Sequence, residues 1–160
     1  MASYIGSDYT DKVGEVVADV TDDHYSDPQT NPFHGDNTGY YNQCTWYAFG
    51  RAYDRYGGPI NVSGSGGSWY KNIVVGNGVS KRSKSNDPVS KSIASFSNSG
   101  AGHVVFIEQV IDGNVYFTEG NSWCADGQVQ KKTISQFKTL WGNTLEGYIV
   151  LTKYNPPTGA

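Results

Sequence analysis

Residues 102–123 read G-H-V-V-F-I-E-Q-V-I-D-G-N-V-Y-F-T-E-G-N-S-W. Two runs rich in β-branched and aromatic residues, His103 to Val110 and Asn114 to Glu119, flank Ile111-Asp112-Gly113, a pattern that predicts a β-hairpin. Antiparallel pairing returns the end of the second run to the start of the first, so His103 meets Glu119 and Asn121 without any tertiary assumption. Register decides whether they share a face, because a slip of one residue moves every side chain to the other side of the sheet. A tight turn at Asp112-Gly113 sets Ile111 opposite Asn114 and His103 opposite Ser122, with Glu119 and Asn121 on the other face. A three-residue loop with left-handed Gly113 instead sets Val110 opposite Asn114, Val105 opposite Glu119 and His103 opposite Asn121. The three-residue loop is the expectation; pairing of Ile111 with Asn114 contradicts it unless a bulge restores the phase.

Upstream, residues 41–56 read Y-N-Q-C-T-W-Y-A-F-G-R-A-Y-D-R-Y. Cys44, Tyr47, Ala48, Arg51 and Ala52 follow helical spacing, and Trp46, Phe49 and Tyr53 form a second apolar stripe, so the predicted helix is buried on most sides. Asn42 is the expected N-cap, and Gly57-Gly58-Pro59 the stop. Cys44 then lies in the first turn, where unpaired backbone N–H groups favour thiolate over thiol and can steady an oxyanion. A lone cysteine there reads either as a nucleophile or as a small packing residue, free cysteine being commonly buried. A partner decides between them.

The chain of 160 residues has the length of one domain and can bury a core without disulfide or metal staples. Net charge is -3, charged residues are 17%, and Gly (20) and Tyr (12) are abundant. The only basic cluster is Lys81, Arg82 and Lys84, which argues against nucleic acid as a partner. No run is long enough to cross a bilayer and the first residues lack the pattern of a secretory signal, so neither membrane insertion nor an export signal is expected. Two cysteines, Cys44 and Cys124, do not settle the compartment, although oxidation could pair them and silence Cys44.

Asp8, Asp11, Glu15, Asp19, Asp22, Asp23 and Asp27 make residues 1–40 an acidic lead-in segment. Val13, Val16, Val17 and Val20 suggest a short helix from Asp11 to Val20. No D-x-D-x-D-G spacing occurs there, so no metal and no cofactor is expected. Residues 27–40 are turn chemistry. The glycine-rich connection after the helix lacks the G-K-[ST] of a phosphate loop. It ends in Trp69 and Tyr70, which read as core packing or as stacking on a substrate. Residues 76–91 look loop-like, Ser92 to Phe96 a short strand, Thr133 to Leu140 a short helix and Glu146 to Lys153 a last strand. Residues 41–153 are the expected domain that holds Cys44 and the hairpin, and 154–160 a tail or linker.

Cys44, His103 and the pair Glu119/Asn121 supply a nucleophile, a base and an orienter. Thiolate attack on an amide needs an imidazole to hold the proton and return it to the leaving amine, and the imidazole needs an acceptor to fix its tautomer. The Glu119 carboxylate or the Asn121 carbonyl can serve, one directly and one from behind. The Cys44 N–H is the natural oxyanion donor, with Gln43 or Tyr41 a second.

The segments N-Q-C-T-W-Y-A-F-G-R-A, A-G-H-V-V-F-I-E and T-E-G-N-S-W resemble the CHAP family, the cysteine, histidine-dependent amidohydrolases/peptidases, from about Asn42 to Lys153. The strand before the histidine starts V-S-K-S-I where the family often has a Pro-Gly lead-in. The resemblance implies a papain-like α+β fold, helices packed on a central antiparallel sheet, with Cys44 as nucleophile, His103 as base, and Glu119 and Asn121 completing the site. It implies bacterial peptidoglycan as partner and cleavage at muramoyl-alanine or in a cross-bridge. Tyr41, Trp69, Tyr70 and Trp123 are the candidate substrate contacts. The expected place of action is the extracellular wall, for a phage lysin released at lysis or a domain of a secreted or virion-associated protein, with a further wall-binding module in a longer parent chain. A non-catalytic wall-binding module and a cysteine acyltransferase or deamidase acting on protein glutamine are the alternatives.

Overall fold

The computed structural model describes residues 2–34, 43–98 and 100–158. Six strands, β1 (Val79–Ser83), β2 (Ser92–Phe96), β3 (His103–Ile111), β4 (Asn114–Thr118), β5 (Gln130–Thr133) and β6 (Leu145–Leu151), form one sheet in the order β1-β6-β2-β3-β4-β5. All pairings are antiparallel. The helices are α1 (Asp23–Ser26), α2 (Cys44–Tyr56), α3 (Trp69–Asn72) and α4 (Ile134–Lys138), followed by a last helical turn, Leu140–Asn143. The alternation of β3 sorts its side chains to two cores. Val104 and Phe106 pack with Trp46, Phe49 and Ala52 of α2, while Val105 and Ile107 pack with Val115, Phe117 and Phe137 on the opposite face. The fold is α+β and papain-like, with the long helix on a central antiparallel sheet.

Both stripes of α2 are used: Trp46, Tyr47, Ala48, Phe49 and Ala52 are all buried. Gly57, at φ 98, ends the helix in the left-handed conformation that glycine adopts without penalty, and its N–H caps the Tyr53 carbonyl. The N-cap is Gln43 and not Asn42, which lies outside the described residues. The expected helix over Asp11 to Val20 does not form. Gly14 takes φ 88, and Val16 and Val17 are extended, bridging Gln128 and bonding Gly127. Backbone pairing with the segment before β5 outweighs the helical spacing of the valines. Two strands, β1 and β5, lie where none was expected; both are edge strands with largely exposed, polar side chains, which hides the alternation. Thr133 and Gln136 form a capping box that starts α4.

The hairpin turn differs from the expectation, and the register near His103 does not. Ile111 pairs with Asn114 across a two-residue turn, Asp112 (φ 52) and Gly113 (φ 76), whose positive dihedrals suit the twist of a tight hairpin. Pairing then shifts between Ile107 and Gln109, because Gln109 opposes Tyr116 while Ile107 opposes Phe117. Glu108 is the extra residue of a β-bulge. Below it Phe106 opposes Thr118, and the same register continued sets Val105 opposite Glu119.

Candidate active site

The bulge residue carries the charge that docks α2. Arg51 is fully buried and grips Glu108 with two nitrogens, Nε to Oε2 at 2.8 Å and Nη2 to Oε1 at 3.1 Å, while Arg55 Nη1 donates to Oε1 at 2.5 Å. Tyr47 donates to Thr118 Oγ1 at 2.7 Å, and Thr118 donates to Glu108 Oε2 at 2.8 Å. Helix α2, which starts at Cys44, is thereby fastened to the hairpin that carries His103 and Glu119. Asp54 extends the network by accepting from Arg51 (3.2 Å), Tyr25 (2.7 Å) and His24. Burial works to raise the Asp54 carboxyl, but these hydrogen bonds and the Arg51 charge hold it below the ordinary value. Among the described residues, Asp22, His24 and Asp54 are the group whose ligand-type atoms lie within 4.8 Å of one another. Asp54 is already engaged by a guanidinium, which disfavours a cation there.

His103 Nε2 lies 2.6 Å from Glu119 Oε1, both side chains being buried. That bond leaves Nδ1 as the ring nitrogen for Cys44. Burial pushes the imidazole down, but hydrogen bonds to Cys44 and Glu119 and their charges raise it to about 9. The other Glu119 oxygen, Oε2, accepts from Gln130 Nε2 at 2.6 Å, so both oxygens are held. The carboxylate is the direct orienter of the ring. Asn121 is not: at φ 58, beyond the end of β4, it turns away and donates from Nδ2 to Gln43 Oε1 at 2.8 Å. Its side chain fixes the residue before the cysteine.

Cys44 opens into a cleft of about 270 Å³ lined by Gln43, Cys44, Thr45, Ser65, Gly66 and Gly102 among others. As the first residue of α2, Cys44 has an N–H with no partner inside the helix, and it points from the end where the helix dipole is positive. The cleft depends on close backbone approach. A Cβ on Gly66 would stand 2.8 Å from the His103 carbonyl carbon, and one on Gly102, at φ 82, only 2.2 Å from the Gly67 nitrogen. The Gly66 carbonyl also accepts from Ser95 Oγ at 2.6 Å.

Of the expected substrate contacts, Trp69 is excluded. It is 0% exposed, packs on Phe33 at 5.1 Å between centroids, and spends its N–H on the Gly64 carbonyl, so no face is open to a ligand. Tyr70 lies against Gly147 of β6 with Lys81 over its ring and is not among the residues lining the Cys44 cleft. Tyr41 lies outside the described residues. Trp123 is 83% exposed and borders a cleft of its own. Cys44 and Cys124 are both free thiols, and Cys124 Sγ is 3.3 Å from Ser122 Oγ.

Two neighbours of the site escaped the sequence. Gln130 sits on the unexpected strand β5. Trp141 packs against His103 with ring centroids 4.2 Å apart and the planes tilted by 40°. It holds φ 57 and ψ 37, followed by Gly142 and Asn143 with positive φ, a run that costs a bulky residue about 1–2 kcal/mol. The Gly-Asn pair after Trp141 was the available signal of a left-handed turn.

The solved structures that resemble the chain include "The crystal structure of Ly7917", with 18% identity and TM-score 0.43, and "The crystal structure of Ly7917 with the hydrolyzing product of MDP", with 18% and 0.44. Each alignment covers 56% of this chain and 38% of the other, so the chain spans well under half the length of those proteins. No match is found among curated proteins. A family model described as the CHAP domain matches residues 34–121, more than half of the chain, and that span contains Cys44, His103, Glu119 and Asn121. The chain belongs to the CHAP domain family.

Proposed function

We propose that the protein is a peptidoglycan hydrolase that cleaves an amide or peptide bond of the wall stem peptide through a thioester on Cys44. His103 accepts the thiol proton, and the sulfur attacks the carbonyl carbon. The oxyanion that forms is met by the Cys44 N–H, with Gln43 as second donor. The imidazolium returns its proton to the leaving nitrogen as the C–N bond breaks, and water, deprotonated by His103, then releases the acid and regenerates the thiol. Glu119 holds the ring and balances its charge. On this reading the protein acts at the extracellular wall.

The observation that carries the reading is the chain of contacts from Cys44 through His103 to Glu119, at 2.6 Å for its last link, opening on a cleft at a helix start. Purified walls treated with the protein are expected to lose turbidity and to yield fragments with new ends, identified by mass spectrometry. A freed lactyl carboxylate marks an amidase, and a new amine within the cross-bridge marks an endopeptidase. Cys44→Ser is expected to abolish lysis while wall binding persists. Wall binding with no new ends in the wild type would overturn the reading in favour of a pure binding module.

A further inference from the structure

A second cleft, of about 250 Å³, adjoins the site and shares no lining residue with the Cys44 cleft. The imidazole joins the two. One end of the ring meets Cys44, while Nε2 meets Glu119 and the ring face meets Trp141, both of which line the second cleft. Its walls include Phe117, Trp123 and Trp141, and its polar edge is Gln130 and Lys132. Gln130 is committed to Glu119. Lys132 has no carboxylate within ion-pair distance among the described residues.

The chemistry of amide cleavage assigns a side to this cleft. The proton that His103 returns goes to the leaving nitrogen, so that nitrogen must sit between Cys44 and the ring. The acyl part stays in the Cys44 cleft, bonded to sulfur, and the amine part runs on past the imidazole towards Trp141. The volume lies below the roughly 300–1,000 Å³ of ordinary small-molecule sites and accommodates one or two residues. Trp123, left 83% exposed beside a strained Trp141, gives the cleft an open aromatic wall.

We propose that this cleft is the leaving-group subsite, taking a peptide amine whose first residue is aliphatic and packs against Trp123 and Trp141, with a carboxylate further on that reaches Lys132. The proposal rests on the thioester reading above. Because the amine departs from this cleft, an added amine of the right shape returns through it. Its nitrogen attacks the thioester carbonyl, His103 takes the excess proton, the C–S bond breaks, and an amide and the free thiol result.

The test is partition of the thioester between water and added amines. The donor is the p-nitrophenyl ester of N-acetylalanine, and the acceptors are alanyl-glutamate, alanyl-glycinamide, glycinamide and glucosamine, with products separated by mass. The expected aminolysis-to-hydrolysis ratio is highest for alanyl-glutamate, about tenfold above glycinamide, the discrimination that one apolar contact gives in a pocket. Trp123→Ala, at an exposed position that does not endanger folding, is expected to bring the two alanyl acceptors down to the glycinamide ratio. Lys132→Ala is expected to bring alanyl-glutamate down to alanyl-glycinamide. Equal ratios for all acceptors in the wild type, ratios unmoved by both variants, or preference for glucosamine would overturn the subsite and leave the thioester intact. Nitrophenol release by Cys44→Ala at the wild-type rate would overturn the thioester and the subsite together.

Discussion

At the scale of single residues, the site divides its polar groups between the imidazole and the cysteine. Glu119 faces His103, and Asn121, two residues on, faces Gln43. Their substitutions therefore separate. Glu119→Gln removes the charge that helps raise His103 to about 9, so the alkaline limb of the kcat/KM profile is expected to move to lower pH and kcat/KM to fall roughly 10²–10⁴-fold. Asn121→Ala is expected to leave that limb in place and to weaken only the ordering of Gln43. Identical shifts of the profile in both variants would contradict this division. Gln130→Ala, which frees one carboxylate oxygen, is expected to broaden the response without moving the limb as far as Glu119→Gln.

At the scale of elements, the bulge at Glu108 links register to docking. The residue that the tight turn leaves out of phase is the one whose carboxylate is buried against Arg51 and Arg55. Glu108→Gln removes the buried carboxylate that Arg51 and Arg55 share and leaves Arg51 only its longer contact to Asp54, expected to cost about 3–5 kcal/mol. Thermal unfolding then falls on the order of 10 °C for a chain of this size. A loss of only a degree or two would contradict the role given to the pair. The same elements show how far the sequence could be read. Helix α2 was legible because it spends two apolar stripes, and the hairpin because its strands are strongly β-branched. The face shared by His103 and Glu119 was legible too, but for the wrong cause: the loop was expected to supply the extra residue that Glu108 supplies. A charged residue inside V-V-F-I-E-Q-V-I was the available sign, and its meaning depended on Arg51, which only the tertiary fold brings near. Edge strands β1 and β5 stayed hidden because their side chains face water. Gln130 was hidden with β5 and Trp141 by its left-handed turn.

At the scale of the whole molecule, the two faces of the sheet do different work. The α2 face positions the cysteine and is filled by aromatic packing that includes Trp69. Trp69→Ala is therefore expected to cost about 3–5 kcal/mol of stability and to leave wall affinity per folded molecule unchanged, as urea unfolding and pull-down on purified walls would show. The opposite face carries His103 and Glu119. Because the folded-state value of His103, about 9, stands above the ordinary 6.5, its contribution to stability is fully present below pH 6.5 and is lost as pH rises through 9. Unfolding midpoints are expected to fall between those values in the wild type more than in His103→Gln. All of these effects converge on whether Cys44 becomes acylated. Wall fragments mixed with the protein, quenched in acid within the turnover time and examined by intact and peptide mass spectrometry test this most directly. The expected result is a substrate acyl group on Cys44, accumulating in slow-deacylating conditions and absent in Cys44→Ala, which no longer cleaves. Wall cleavage by Cys44→Ala at the wild-type rate, with no acyl group on the wild-type cysteine, would contradict the thioester at the centre of the mechanism.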